Sequence, residues 1–405
     1  MMSLPQNKQR TAGLVGIVLV SCLASRASQV GAADSGPVLR TVAERRPALT
    51  DSSSPQSKPS GQIERLLNKI HRVSNHYYQR TLTTQDQNCW EVMHWIIAYG
   101  VKSHILRGGS DGLPVNSIGW LCYGGRCAGQ PLVYVDQGRI TASKGPHVQG
   151  HQGQFLAILA QAKAMKDYPM RVGNQSFTVA DLIETEKLGC QSGMELTFKL
   201  IALAHYLDLN DTWRNSAGEE WSVARLVQEE IKAPIRGAAC GGTHRLMGLS
   251  YAVHERQKRG APLDGQFHRA DTYIRDFHRY AFSLQNADGS FSTNWFKGPE
   301  AKPDLERRLQ TTGHILEWLA YSVPSEMLDD PRLVRGVDYL ATLLFTNADK
   351  EWPLGTLGHG LHALALFDER IQKERAQAVE PLARRRPRTP PSEKRAARSN
   401  SRNRR

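Results

Sequence analysis

Apolar residues recur at intervals of three and four along most of the chain between residues 63 and 370, the spacing of one buried helix face. Leu196, Leu200, Leu203 and Leu207 form a typical run. Prolines fall between the runs, where helix breakers belong, and the pattern predicts about ten to twelve helices. Seven of them are predicted at residues 178–188, 221–232, 240–258, 266–284, 309–322, 331–345 and 358–372.

One segment departs from the helical pattern. Residues 131–143 alternate around a glycine-containing turn, which predicts a β-hairpin. Together with the glycine-rich stretch 108–130, the hairpin forms a long excursion between two helices. Long insertions in compact domains often act as lids or binding loops, and others have no role beyond connecting elements. Both interpretations stay open on the sequence.

A short phrase recurs in the helical region: a small residue, His, any residue, Leu, two of any kind, Leu and a small residue. It occurs at residues 243–251, 313–321 and 358–366, and looser copies begin at Gly150 and Gly193. Recurrence of one unit is typical of a repeat architecture. We therefore expect paired helices arranged in a ring, an all-α fold of the α/α-toroid type with one inserted β-hairpin.

A second phrase supports this expectation. Residues 285–291 read Gln-Asn-Ala-Asp-Gly-Ser-Phe and resemble the Gln-x-x-Asp-Gly-Ser-Phe/Trp turn of the squalene-cyclase and prenyltransferase-type repeats, most clearly over residues 240–370. The resemblance implies an α/α toroid whose inner helices begin at the mouth of a central cavity. The Asp-x-Asp-Asp acid of class II terpenoid cyclases is absent, and no segment matches the zinc spacing of protein prenyltransferases. Fold alone does not carry activity.

The net charge of +13 is concentrated at the carboxyl end, where residues 382–405 hold nine arginines and one lysine against a single acid. We predict a disordered basic tail at 373–405 that contacts polyanions or an anionic membrane surface, without specific nucleic-acid recognition. A Ser/Pro-rich linker is predicted at 33–62 and the toroid domain at 63–372.

The amino end resembles an export signal. A basic start precedes the apolar run 11–23, and small residues lead to a cleavage site after Ala32, which predicts a signal peptide at 1–32. The alternative is a lipobox at 19–22, in which Cys22 carries the lipid. Either reading predicts an exported protein, periplasmic or secreted.

Five cysteines remain after residue 32, so at least one is free, binds metal or pairs between chains. They are Cys89, Cys122, Cys127, Cys190 and Cys240. Cys122 and Cys127 bracket a short loop that a small disulfide would close. Cys240 and His244 lie four residues apart on one helix face, a spacing at which both side chains reach one zinc ion, with His359 or Cys190 as a further ligand. A buried cysteine beside a histidine is the alternative reading.

The recurring histidines each lie near a predicted helix start, where unpaired N–H groups favour an anionic ligand. We predict that they converge on the cavity and, with one glutamate, form its candidate catalytic residues; the alternative is that each histidine packs its own helix start. These residues are His151, Glu195, His244, His314 and His359.

Trp90, Glu91 and His94 resemble the parts of a sugar-binding site, and Glu91 with Glu195 resembles a general acid/base pair. A packed aromatic helix is the other interpretation. No phosphate loop, dinucleotide fingerprint, Gly-x-Ser-x-Gly elbow or His-Glu-x-x-His occurs, which disfavours nucleotide, α/β-hydrolase and zincin chemistry.

The leading functional hypothesis is an exported toroid that binds, or binds and cleaves, an anionic small molecule or polysaccharide in its central cavity. The alternatives are a non-catalytic envelope binding or structural protein, and a terpenoid-cyclase-like, prenyltransferase-like or zinc-dependent enzyme.

Overall fold

The computed structural model describes residues 59–384. The predicted signal peptide at 1–32 and most of the predicted linker at 33–62 and tail at 373–405 lie outside these residues. Residues 59–62 and 373–384 are helical, which corrects the inner bounds of the predicted linker and disordered tail. Within the described part of the chain, no helix combines the length and the apolar character that a membrane span requires.

Twelve α-helices form most of residues 59–384. They are α1 (Pro59–Tyr78), α2 (Cys89–Tyr99), α3 (Ser117–Cys122), α4 (Gln154–Gln161), α5 (Val179–Leu188), α6 (Thr197–Tyr206), α7 (Val223–Lys232), α8 (Thr243–Lys258), α9 (Gly265–Ser283), α10 (Leu305–Ser322), α11 (Pro331–Thr346) and α12 (Leu354–Arg384). All seven helices whose bounds the periodicity predicted are present.

Three of the predicted helices differ in extent, and one of them is α10, which begins at Leu305 and not at residue 309. The helix predicted from residue 240 begins only at Thr243, because Ala239–Gly242 forms a 3₁₀ turn in which Cys240 and the two following glycines have positive φ. The helix predicted at 358–372 runs from Leu354 to Arg384.

The strands form five separate two-stranded antiparallel hairpins in the described chain. They are β1 (His104–Leu106) with β2 (Pro114–Asn116), β3 (Arg126–Cys127) with β4 (Gln130–Pro131), β5 (Val133–Asp136) with β6 (Arg139–Ala142), β7 (Pro169–Val172) with β8 (Gln175–Thr178), and β9 (Thr212–Arg214) with β10 (Glu220–Ser222). The predicted hairpin is β5–β6, with Val133 opposite Ala142. The expectation of a single hairpin in an all-α fold is therefore corrected to a mostly helical fold with several small hairpins.

Two kinds of helix follow from the burial pattern. The even-numbered helices are buried on most sides: every residue of α8 from Thr243 to Val253 is buried. The odd-numbered α7 buries one stripe, formed by Val223, Leu226, Val227 and Glu230, at the spacing of an amphipathic surface helix.

The helix contacts follow the same division. Helix α2 packs against α4, α4 against α6, α6 against α8, α8 against α10 and α10 against α12, and α12 packs against α2. Helix α5 packs on α4 and α6, α7 on α6 and α8, and α11 on α10 and α12.

The small residue of the recurring phrase lies where two buried helices meet. A Cβ atom on Gly313 would lie 3.1 Å from the Cα of Gly360, and one on Gly358 would lie 2.5 Å from the carbonyl oxygen of His94. Only a residue without a side chain permits backbones to approach this closely. The glycine of the phrase is therefore explained by close helix packing, and the residue after it is the histidine.

Replacing Gly358 by alanine is expected to destabilise the protein by about 1–3 kcal/mol, because the new methyl group meets backbone that has to move. Urea unfolding measures the effect. The matched control is Gly61→Ala in α1, where a Cβ makes ordinary contact with a flexible arginine. There the higher helix propensity of alanine is expected to leave stability unchanged or slightly raised. Equal midpoints for the two variants would contradict the close-packing argument.

A candidate metal centre among buried histidines

Five histidines from separate parts of the chain come together among the even-numbered helices, and we call them the histidine cluster. They are His94, His151, His244, His314 and His359. Ring centroids lie 5.4 Å apart for His151 and His244, 5.5 Å for His244 and His314, 3.9 Å for His314 and His359, and 5.2 Å for His359 and His94. The four histidines of the recurring phrase and its looser copies therefore converge, and His94 joins them.

Two cluster histidines are fixed by the backbone of their own helix. The Nδ1 of His94 lies 2.6 Å from the carbonyl oxygen of Trp90, and the Nδ1 of His314 lies 2.7 Å from that of Gln310. A carbonyl oxygen only accepts, so each Nδ1 carries the hydrogen and each Nε2 keeps its lone pair. The Nε2 of His314 is buried without a hydrogen-bond partner.

His244 is the most exceptional member of the cluster. Neither of its ring nitrogens has a hydrogen-bond partner, although both are buried. Buried polar atoms almost always have a hydrogen-bond partner, so two buried nitrogens without one indicate that a ligand binds here. Donor atoms of Cys240, His244 and His314 all lie within 4.8 Å of one another. This set of one sulfur and two imidazole nitrogens can hold a metal ion.

Cys240 reaches this position through an unfavourable backbone conformation. Cys240 has φ 46°, a left-handed conformation that non-glycine residues rarely adopt, and Trp295 beside it has φ 56°. Gly241 packs directly on the Trp295 ring, where no side chain would fit. Thr243 Oγ1 donates to the carbonyl oxygen of Cys240 at 2.8 Å and closes the turn. Left-handed residues of this kind are concentrated at functional sites.

The protonation states suit metal binding. Burial lowers the pKa of His94 to about 3, and burial followed by the neighbouring imidazoles lowers those of His244 and His314 well below the usual value. These rings are therefore neutral at pH 7, the form that ligates metals. Burial, followed by the charges of Glu317 and Glu195, raises the pKa of Cys240 to about 12. Its thiolate therefore requires a cation nearby.

A buried carboxylate flanks the cluster. Glu317 Oε2 accepts from the Nδ1 of His359 at 2.8 Å, and its Oε1 accepts from the Nδ1 of His362 at 2.6 Å. Burial alone would raise the pKa of Glu317, but the charge and hydrogen bonds of the two histidines hold it well below the usual value.

His151 and Glu195 form the solvent side of the cluster. Glu195 Oε2 accepts from the Nδ1 of His151 at 2.7 Å, and about a third of the Glu195 side chain is exposed. A surface pocket of about 260 Å³ adjoins this pair, and we call it the rim pocket. It is lined by Gly193, Met194, Glu195, Glu229, Lys232, Ala233 and Arg245.

The predicted sugar-site residues Trp90, Glu91 and His94 lie in the first turns of α2. Glu91 accepts from the backbone N–H of Asn88 at 2.9 Å, while the Asn88 side chain accepts from the N–H of Glu91, so the pair caps helix α2. The half-buried Trp90 ring lies against Gly355 and 4.0 Å from the His94 ring, measured between centroids. The carboxylate of Glu91 is thus occupied in helix capping.

The remaining cysteines lie elsewhere. The thiol of Cys190 donates to the carbonyl oxygen of Glu186 at 3.6 Å, so it is not the further metal ligand that the sequence suggested. Cys89 Sγ lies 3.4 Å from the carbonyl oxygen of Gln130, which pairs with Cys127 across β3 and β4. Cys127 also hydrogen-bonds Cys89. Cys122 and Cys127 are both free thiols, so the disulfide suggested by the short loop between them is not formed.

Sequence reasoning missed Glu317, His362 and Trp295. The first two carried a usable signal: Glu317 and His362 each follow a phrase histidine by three residues, at the same place in their copies of the phrase. Residues three apart share a helix face, so Glu317 is expected on the face of His314 and His362 on the face of His359.

No protein-family model, curated protein or solved structure matches this chain.

Proposed function

We propose that this protein is a zinc-dependent enzyme whose metal centre is formed by Cys240, His244 and His314. The observation that carries the proposal is the set of three donor atoms within 4.8 Å, in which His244 and His314 present buried nitrogens without partners. Three protein ligands leave one position of a tetrahedral zinc ion for water or substrate, the arrangement of catalytic sites.

The ligand chemistry favours zinc. Thiolate and imidazole together suit zinc better than magnesium or calcium, which prefer oxygen. His314 donates its Nδ1–H to the carbonyl oxygen of Gln310, the outer hydrogen bond that metal-ligating histidines usually make. When bound, zinc would act as a Lewis acid and lower the pKa of a bound water.

An α/α toroid is the proposed architecture around this centre. The succession of contacts from α2 through α4, α6, α8, α10 and α12 returns to α2, as inner helices of a ring would. The even-numbered helices are also the ones buried on most sides. This pattern supports the resemblance to squalene-cyclase and prenyltransferase-type repeats at the level of architecture alone.

An anionic or carbohydrate ligand remains the proposed substrate class. The rim pocket lies at the solvent side of the cluster, and its lining holds Lys232 and Arg245 together with Glu195 and Glu229. Lys232 pairs with Glu229, and Arg245 pairs with Glu230. An acidic polysaccharide or a smaller acidic sugar suits basic groups at this position and an exported protein. The tail outside the described residues remains a proposed contact for polyanions.

Metal content of protein purified without chelator or affinity metal tests the proposal. Mass spectrometry is expected to find about one zinc per chain, lost in Cys240→Ala, His244→Ala and His314→Ala. The matched control is His278→Ala, because His278 is also buried but bonds Ser322 on the outer side of α10. Metal-free wild-type protein, or metal retained in all three ligand variants, would overturn the assignment.

Turnover is tested separately. Acidic polysaccharides are incubated with the zinc-loaded protein, and new reducing ends or unsaturated products are measured. Activity is expected to disappear with chelator and to return with added zinc. Activity that persists without metal would contradict zinc-dependent catalysis.

A non-catalytic binding protein of the cell envelope is the second candidate. The observation that favours it is the closed packing of the cluster, in which His94 and His314 are tied to backbone carbonyls and less than a tenth exposed. Zinc that is present while no acidic polysaccharide is consumed would support this alternative.

A further inference from the structure

Glu317 is a buried carboxylate that has no lysine or arginine partner in residues 59–384. Its side chain is 6% exposed, and its only ion-pair partners in residues 59–384 are His359 and His362. A carboxylate taken out of water costs several kcal/mol unless a positive charge compensates it. Both imidazoles donate a hydrogen bond to this carboxylate through Nδ1.

The geometry places this carboxylate beside the proposed metal ligands. Glu317 and His314 lie three residues apart on α10, on one helix face. His359, which Glu317 holds through Nδ1, has its ring centroid 3.9 Å from that of His314 and 5.3 Å from that of His244. The hydrogen bonds to Glu317 therefore fix a ring that contacts both histidine ligands.

The net charge of the proposed metal centre accounts for a carboxylate beside it. A zinc ion bound by one thiolate and two neutral imidazoles carries a net charge of +1, which is unfavourable in a buried site. One carboxylate within the same buried group restores neutrality. Carboxylates that hydrogen-bond a metal-ligating histidine typically change metal affinity by about 10–100-fold when mutated. Glu317 acts one ring further out, through His359, which lies against His314 and His244.

We infer that Glu317 is the positioning and charge-balancing residue of the metal centre: it holds His359 and His362 in one tautomer and sets the affinity for the metal. The inference rests on the proposed zinc centre. The competing explanation is that Glu317 only joins α10 to α12.

Zinc affinity of Glu317→Gln, measured by competition with a chromophoric chelator, tests the inference. The variant is expected to bind about one zinc per chain with about 10–100-fold weaker affinity. The matched control is Asp368→Asn, which alters the carboxylate–histidine bond of 2.9 Å between Asp368 and His71, away from the cluster, and is expected to keep wild-type affinity. The cobalt(II) absorption spectrum supplies a second readout, since rotation of His359 against the ligands changes the bands of Glu317→Gln alone.

The outcomes separate the two claims. If the wild-type protein binds no metal, the proposed function is overturned. If wild type and Glu317→Gln bind zinc with equal affinity, only the inferred role of Glu317 is overturned. A purely structural role predicts lower stability of the metal-free variant with unchanged affinity. If Glu317→Gln does not fold, His362→Gln removes one of the two bonds and is expected to weaken zinc about tenfold; unchanged affinity there would equally overturn the inference.

Discussion

Removal of the metal is expected to lower the free energy of unfolding by about 4 kcal/mol, relative to protein with zinc at a thousand times its dissociation constant. Cys240 and His244 lie seventy or more residues before His314 in the sequence, so only the folded chain gathers the three donors. A ligand that binds the folded state alone stabilises it by mass action.

Urea unfolding with excess zinc and with chelator measures this difference. For Cys240→Ala, the unfolding curves with zinc and with chelator are expected to coincide, because that variant lacks the sulfur ligand. Superimposable curves for the wild type, once its metal has been shown to be gone, would mean that zinc does not bind the cluster of the folded chain.

The hydrogen exchange of the two helices that carry the ligands locates the effect. Helices α8 and α10 pack against each other, and the proposed ligands join the turn before α8, the first residues of α8 and the middle of α10. We expect metal removal to increase exchange around these segments more than in α1 or α11, which lie outside the cluster. A uniform increase would indicate global destabilisation instead.

The helical part of the fold was predictable because its signals are long. Periods of three and four over ten or more residues specify a helix face, and prolines at the ends mark its limits. The phrase around His244, His314 and His359 was predictive for a further reason: close helix contacts require its small residues. One physical constraint thus recurs wherever two buried helices meet.

Three of the four hairpins that were missed have strands too short to show alternation, the exception being β7–β8. Strands β3 and β4 have two residues each, and β9 and β10 have three. Their positions are set by turns with positive φ, such as that at Ala128 and Gly129, and by packing on nearby helices. Neither the turns nor the packing on helices produces a periodic pattern in the sequence.

The site was predictable in its members and less so in its chemistry. Convergence of the histidines followed from the repeat, but the free nitrogens of His244 depend on what the other helices bring near them. The bond from His314 Nδ1 to Gln310 lies at the i−4 spacing of a helix and could be anticipated locally. The pairing of Glu317 with two residues of α12 required the tertiary contact of α10 and α12.

Lys199→Met is expected to be the most destabilising single substitution outside the cluster, at about 3–5 kcal/mol. Lys199 is fully buried in α6, where its ammonium contacts the Glu186 carboxylate and donates to the Glu186 carbonyl oxygen at 2.9 Å. Gly153 and Gly189 leave the space that its stem and ammonium occupy. Methionine fills most of that volume, so the loss comes mainly from the anion of Glu186 left buried without its partner.

The double variant Lys199→Met/Glu186→Leu separates charge from packing. It is expected to recover most of the lost stability in urea unfolding, because removing both charges also removes their desolvation cost. Lys187→Met is the matched control: Lys187 pairs with Glu184 at 2.9 Å on the partly exposed face of α5, and such pairs contribute about 0–1 kcal/mol. A double variant as unstable as Lys199→Met would show that the lost stability does not come from the unpaired charge of Glu186.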